Sequence, residues 1–91
     1  MKFPFKEKQL NSYLFLREFS ADVDEMDLIW HTDREDRIVH VIEGNKWKFQ
    51  FDEQLPFEML DGIDIIIPKG IIHRIIKGKG PLKIKVYKEP I

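Results

Sequence analysis

A chain of 91 residues with 15 basic and 16 acidic side chains is a single, nearly neutral domain, without the overall field of a nucleic-acid or membrane-surface binder. At this length folding buries only about 60–65 % of the unfolded surface, so the core is modest. The chain has no cysteine, which excludes disulfides, thiolate metal sites and a cysteine nucleophile, and it has neither a membrane-length apolar run nor a signal-peptide pattern, so a cytoplasmic protein is expected.

In chain order, residues 1–12 are polar apart from Phe3, Pro4 and Phe5 and read as an N-terminal arm. Tyr13 to Phe19 is rich in aromatic and aliphatic residues and predicts a strand. Ser20 to Glu25 is an acidic loop, and Asp27 to Thr32 reads as a strand that carries Trp30 and His31. Arg37 to Glu43 alternates, with Arg37, Val39 and Val41 on one face and Ile38, His40 and Ile42 on the other. Gly44 and Asn45 supply a hairpin turn. Trp47, Phe49 and Phe51 alternate with Lys48, Gln50 and Asp52 on the next strand. Phe57 to Leu60, Ile63 to Ile67, Ile71 to Ile76 and the alternating Leu82, Ile84 and Val86 complete the set, separated by Asp61-Gly62, Pro68-Lys69-Gly70 and Gly78-Lys79-Gly80-Pro81.

Short strands punctuated this regularly predict an all-β sandwich or barrel, and a double-sheet jelly roll closes such a chain with few exposed edges. Charge is segregated. Residues 18–36 carry eight carboxylates against Arg34 alone, and residues 69–88 carry seven cations and no carboxylate. Solvated faces are the ordinary reading of such runs.

Gly62, Pro68, Gly70 and His73 have the spacing G-x5-P-x-G-x2-H, and on these residues the chain resembles the cupin family through its second motif. The resemblance implies a double-stranded β-helix over residues 13–88 behind the arm at 1–12, with His73 directed into the barrel. The family's first motif, G-x5-H-x-H-x3,4-E-x6-G, is met only by His31 and Gly44. Glu25 stands at its opening glycine, Asp33 at its second histidine, Arg37 at its glutamate, and Lys77 at the asparagine that usually trails the second motif.

The altered set has its own chemistry. On an extended strand His31 and Asp33 share a face, and His73 would join them from a neighbouring strand. Two imidazoles and one carboxylate suit Fe, Mn, Ni or Zn as divalent ions and resemble the facial triad of non-haem iron oxygenases. Arg37 stands on the inward face and needs a partner. Pairing with Asp33 would consume the metal carboxylate, whereas pairing with a ligand would make Arg37 the anchor of a small anionic substrate. A shift in the turn at 33–36 would instead bring in Glu35 or Asp36.

His40 is expected at the surface, Trp30 and Trp47 in packing, Gln50 in solvent and Arg74 outside the barrel. Tyr13, Tyr87 and Phe57 are open candidates for lining a cavity. Two functions follow from the resemblance: a small metal-dependent enzyme, dioxygenase-like or isomerase-like, or a metal-free module that binds a small anionic ligand. A homodimer is expected, with Ile38, Ile42, Ile72 and Ile76 as a candidate apolar face, and no nucleic-acid or membrane partner.

Overall fold

Eight strands follow one another in the computed structural model, which describes residues 3–89: β1 Lys6–Gln9, β2 Leu14–Phe19, β3 Arg37–Glu43, β4 Lys48–Phe51, β5 Phe57–Glu58, β6 Asp64–Ile67, β7 His73–Ile76 and β8 Leu82–Lys88. Residues 1–2 of the expected arm and residues 90–91 lie outside the described part.

The strands form a five-stranded sheet, β1-β2-β8-β3-β6, and a three-stranded sheet, β5-β4-β7, with every pairing antiparallel. The two sheets close on each other as a jelly-roll barrel, the cupin fold. Alternation decides which side of each strand faces inward: Val39 and Val41 of β3, Ile65 and Ile67 of β6, and Leu82, Ile84 and Val86 of β8 are buried. From the other sheet Trp47, just before β4, Phe49 and Met59 fill the centre. The barrel is therefore packed through the middle. The Trp47 indole N–H donates to the Gly80 carbonyl at 2.7 Å, which satisfies the one polar atom of the largest buried side chain.

The turn between β6 and β7 positions the site. Ile71 N–H donates to the Pro68 carbonyl at 3.3 Å, and Gly70 sits third in the turn with φ +77, the left-handed conformation a type II turn requires there.

Three expectations are corrected. Within the arm, residues 6–9 are strand β1, although all four side chains are exposed. The charges of β1 complement those of β2, with Lys6 opposite Glu18 and Glu7 opposite Arg17, and the last two form a salt bridge. The expected strand Asp27–Thr32 is an irregular segment. It begins as a single 3-10 turn, Glu25–Asp27, capped by the Asp24 carboxylate, which accepts from Met26 N–H at 3.0 Å. The candidate dimer face is split, because Ile38 and Ile42 lie on the large sheet and Ile76 on the small one.

Candidate metal centre

His31 and His73 meet through an isolated antiparallel bridge. Each backbone N–H donates to the other's carbonyl at 3.0 Å, and the ring centroids stand 4.3 Å apart, edge to face. Both rings are oriented in the same way. His31 Nδ1 lies 3.0 Å from the Ile29 carbonyl and His73 Nδ1 lies 2.9 Å from the Ile71 carbonyl. A carbonyl only accepts, so each Nδ1 carries the proton and each Nε2 presents a lone pair.

Both Nε2 atoms face Asp33. His73 Nε2 is 3.3 Å from Asp33 Oδ2, and His31 Nε2 is 3.9 Å from Oδ1. The donor atoms of the three residues lie within 4.8 Å of one another. Asp33 is tied to the turn between β6 and β7, since Gly70 N–H donates to its carbonyl at 3.0 Å. The Asp33 and His73 side chains are 4 % exposed and His31 is 48 % exposed, so the site opens to solvent on the His31 side.

Arg37 completes the cluster. Its Nη1 lies 3.2 Å from Asp33 Oδ1 and its Nη2 lies 3.1 Å from Glu35 Oε1. The expected Asp33–Arg37 ion pair therefore exists, yet it does not consume the carboxylate. It engages Oδ1 and leaves Oδ2, a buried acceptor with no hydrogen-bond partner among the described residues. A lone pair on His73 Nε2 and an anionic oxygen 3.3 Å away repel unless a cation lies between them. A proton is a poor choice, because burial, the largest influence, pushes the His73 pKa below its ordinary 6.5. A divalent ion suits two neutral imidazoles and one carboxylate oxygen. The donor set thus fits a transition metal.

A pH dependence follows. A histidine with a lowered folded pKa binds fewer protons folded than unfolded. In metal-free protein, the His73 contribution to stability is expected to be level above pH 6.5 and to fall as pH drops below it, until His73 is protonated in both states. Denaturant melts of chelator-treated protein measure this slope. Replacing His73 with Phe should flatten it.

The structure brings His31, Asp33, His73 and Arg37 together, and Glu35 enters the cluster as a partner of Arg37. Asp36 stays out, accepting Lys69 N–H at 2.8 Å. His40 is on the outer face, bonded to Asp64 at 2.7 Å, and Trp47 is core. Trp30 is 40 % exposed and carries the Arg74 guanidinium 4.4 Å above its ring, outside the barrel. Gln50 is half-buried, holding Arg74 Nε–H at 2.9 Å. Tyr13 and Tyr87 lie together on the outside, and Phe57 packs on Phe49.

Two neighbours were not foreseen. Phe49 stacks on the His73 ring at 5.4 Å, which an aromatic in a strand pattern signals only as core. Lys88 lies opposite Arg37 on β8, with its ammonium 4.3 Å from the Phe15 ring centre. Burial, with Arg17 and Arg37 nearby, lowers its pKa from 10.5. The strand alternation that placed Arg37 inward could have found Lys88.

Among solved structures, the chain superposes on a cupin domain from Bordetella pertussis with a TM-score of 0.63 and 15 % identity over 99 % of both chains. It superposes on a cupin-2 domain-containing protein from Shewanella frigidimarina at 0.64 and 20 % identity, covering 99 % of this chain and 83 % of that one. The Fe(II) form of HppE gives 0.67 and 14 % identity over 84 % of this chain and 41 % of the longer one. No protein-family model and no curated protein matches the sequence. At these identities the likeness establishes the fold. No helix among the described residues is long and apolar enough to cross a membrane.

Proposed function

We propose that this cupin-fold chain is a metal-dependent enzyme, dioxygenase-like or isomerase-like, that binds one divalent ion of Fe, Mn, Ni or Zn through His31 Nε2, Asp33 Oδ2 and His73 Nε2 and acts on a small anionic substrate. The observation that carries this reading is the orphaned Asp33 Oδ2, buried beside two imidazoles whose Nδ1 protons are already committed. When bound, such an ion supplies Lewis acidity and open positions for a chelating substrate or oxygen. The Fe(II) form of HppE, a protein of the same fold, is consistent with this chemistry.

The protein's own groups have separable tasks. The Ile29 and Ile71 carbonyls fix the two histidine tautomers. Arg37 holds Asp33 by Oδ1, which aims Oδ2 at the histidines and restricts the carboxylate to one donor atom. Arg37 Nε–H, buried and without an acceptor among the described residues, remains for a substrate carboxylate or phosphoryl oxygen, and Lys88 adds positive charge beside it. His31, the most exposed of the three, borders the route from solvent.

The test is elemental analysis of protein produced in metal-supplemented medium, joined to thermal melts. About one equivalent of metal is expected, and at 100 times the dissociation constant it should add about 2.7 kcal/mol, or roughly 10–20 °C in Tm. His73→Ala should abolish both effects. Less than a tenth of an equivalent in the parent, with no Tm response to Fe(II), Mn(II), Ni(II) or Zn(II), would refute the metal reading.

The second reading is a metal-free module that binds a small anion, and the buried, unfilled Arg37 Nε favours it. Under that reading Arg37→Met weakens anion binding while chelators change nothing. The expected setting is the cytoplasm.

A further inference from the structure

The inner face of β8 ends on an amine. Leu82, Ile84 and Val86 are buried, and Lys88 continues their alternation, half-buried and opposite Arg37 of β3. The charged groups that act on it are otherwise matched. Glu7 of β1 holds Arg17 of β2, and Asp33 and Glu35 hold Arg37. Lys88 has no carboxylate within ion-pair distance among the described residues, and its ammonium lies 4.3 Å from the Phe15 ring centre instead. This placement favours the neutral amine. Burial is the largest influence, Arg17 and Arg37 add to it from β2 and β3, and Glu7 and Glu35 oppose them. A lysine set against an apolar wall and beside other cations is an activated nucleophile toward a carbonyl carbon.

Arg37 selects which carbonyl compound. Each of its Nη atoms holds a carboxylate, whereas Nε–H is buried with no acceptor among the described residues. Residues directly opposite in an antiparallel pair have Cα atoms about 4.5–5.5 Å apart, so a ligand that engages both side chains is short. A molecule with a carboxylate and a carbonyl on adjacent carbons meets this limit. One carboxylate oxygen accepts from Nε–H, and the neighbouring carbonyl carbon is left for the amine.

We infer that Lys88 Nζ is a nucleophile that forms an imine with a small 2-oxo acid whose carboxylate is held by Arg37 Nε–H. The neutral Nζ attacks the carbonyl carbon, the carbonyl π pair moves to its oxygen, and a proton passes from nitrogen to that oxygen. The nitrogen lone pair then forms the C=N bond as the hydroxyl leaves, and with the second N–H proton it departs as water. Amine and oxo acid thus give an imine and one water, with no oxidant or reductant. Protonated, the imine keeps a positive charge beside Arg37. The inference rests on the reading of Arg37 as the anion anchor and does not require a bound metal.

The test uses chelator-treated parent protein, pyruvate as the oxo acid and borohydride to reduce the imine to a stable amine, with labelled lysines located by peptide mass mapping. Near neutral pH, Lys88 should be labelled roughly tenfold or more faster than Lys85, an exposed lysine on the outer face of the same strand. The preference should narrow as pH rises toward about 10.4, where ordinary lysines also lose their proton. Methyl pyruvate keeps the carbonyl and lacks the charge, and should lower the Lys88-to-Lys85 ratio by roughly fivefold or more. In Lys88→Met the fast phase of labelling should vanish. Lys88→Arg should lose it too while pyruvate still raises Tm, because the anchor is intact. Labelling of Lys88 no faster than that of Lys85 overturns the nucleophile. An ester with the same preference as the acid overturns the oxo-acid assignment. A parent and a Lys88→Arg variant whose Tm both ignore pyruvate remove the Arg37 anchor as well. Metal uptake is read separately by elemental analysis, so a failed metal reading and a failed imine are told apart.

Discussion

Replacing Asp33 with Ala is expected to abolish metal uptake and, independently, to cost the metal-free protein about 2–4 kcal/mol, roughly 10–25 °C in Tm. The reason is Arg37. Its side chain is 15 % exposed and is held by Asp33 and Glu35, with Nε already lacking an acceptor among the described residues. Without Asp33, half of a buried positive charge loses its counter-ion while Glu35 keeps the rest, so the penalty falls below that of a fully isolated charge. Arg37→Met is the companion variant, which removes the cation and leaves Asp33 and Glu35 without it. The Asp33→Ala, Arg37→Met double variant separates the two roles. It should recover part of the lost stability, since the guanidinium left without Asp33 is gone and only Glu35 has lost its partner, and it should still bind no metal. Melts of chelator-treated protein and elemental analysis of the three variants measure both quantities. Stoichiometric metal in Asp33→Ala would remove the carboxylate from the site. A double variant no more stable than Asp33→Ala would show that Asp33 supports the fold by something other than its pair with Arg37.

The barrel was legible because its strands carry their burial in their spacing. Arg37–Glu43 is the clearest case, where the alternation placed Val39 and Val41 in the core and Ile38 and His40 outside. Where burial does not drive the element the pattern is silent. β1 buries nothing, and its four residues are strand only because the edge of β2 offers hydrogen bonds and matching charges. The segment at 27–32 failed in the opposite direction. Leu28, Ile29 and Trp30 have strand propensity, but Ile29 and Trp30 are solvent-exposed and only His31 makes a bridge.

The same segment explains why the site was only half legible. His31 and His73 were found by spacing, and Asp33 was assigned through strand alternation. Asp33 does reach the histidines, yet not as the third residue of a strand. The Gly70 N–H fixes its carbonyl and Arg37 fixes its carboxylate. Whether Arg37 would consume Asp33 was a question of single oxygen atoms, Oδ1 against Oδ2, and residue spacing carries no information at that scale.

Gly44→Ala is expected to be strongly damaging for the addition of one methyl group, at about 3–5 kcal/mol. A Cβ there would stand 1.7 Å from the Met59 carbonyl oxygen and 2.9 Å from its carbon. Neither side can withdraw cheaply. Met59 is buried and its N–H donates to the Trp47 carbonyl at 2.8 Å, while Gly44 is held by its own N–H to Asp61 at 2.8 Å and by its carbonyl to Trp47 N–H at 2.9 Å. Gly62→Ala is the control: its Cβ would meet nothing within 4 Å, so only φ +88 opposes it and the cost should be about 1 kcal/mol. The clash lies beyond the Glu43 end of β3, whereas Arg37 at the other end supports the metal donors, about 20 Å away along the strand. Donor geometry should therefore survive, and saturating metal should return about 2.7 kcal/mol to Gly44→Ala just as it does to the parent. Tm measured with and without metal for the parent and both glycine variants tests each step. A Gly44→Ala protein within about 1 kcal/mol of the parent would mean that the Met59 segment yields to the methyl group. A variant that folds but gains nothing from metal would mean that the donors depend on the far end of the barrel.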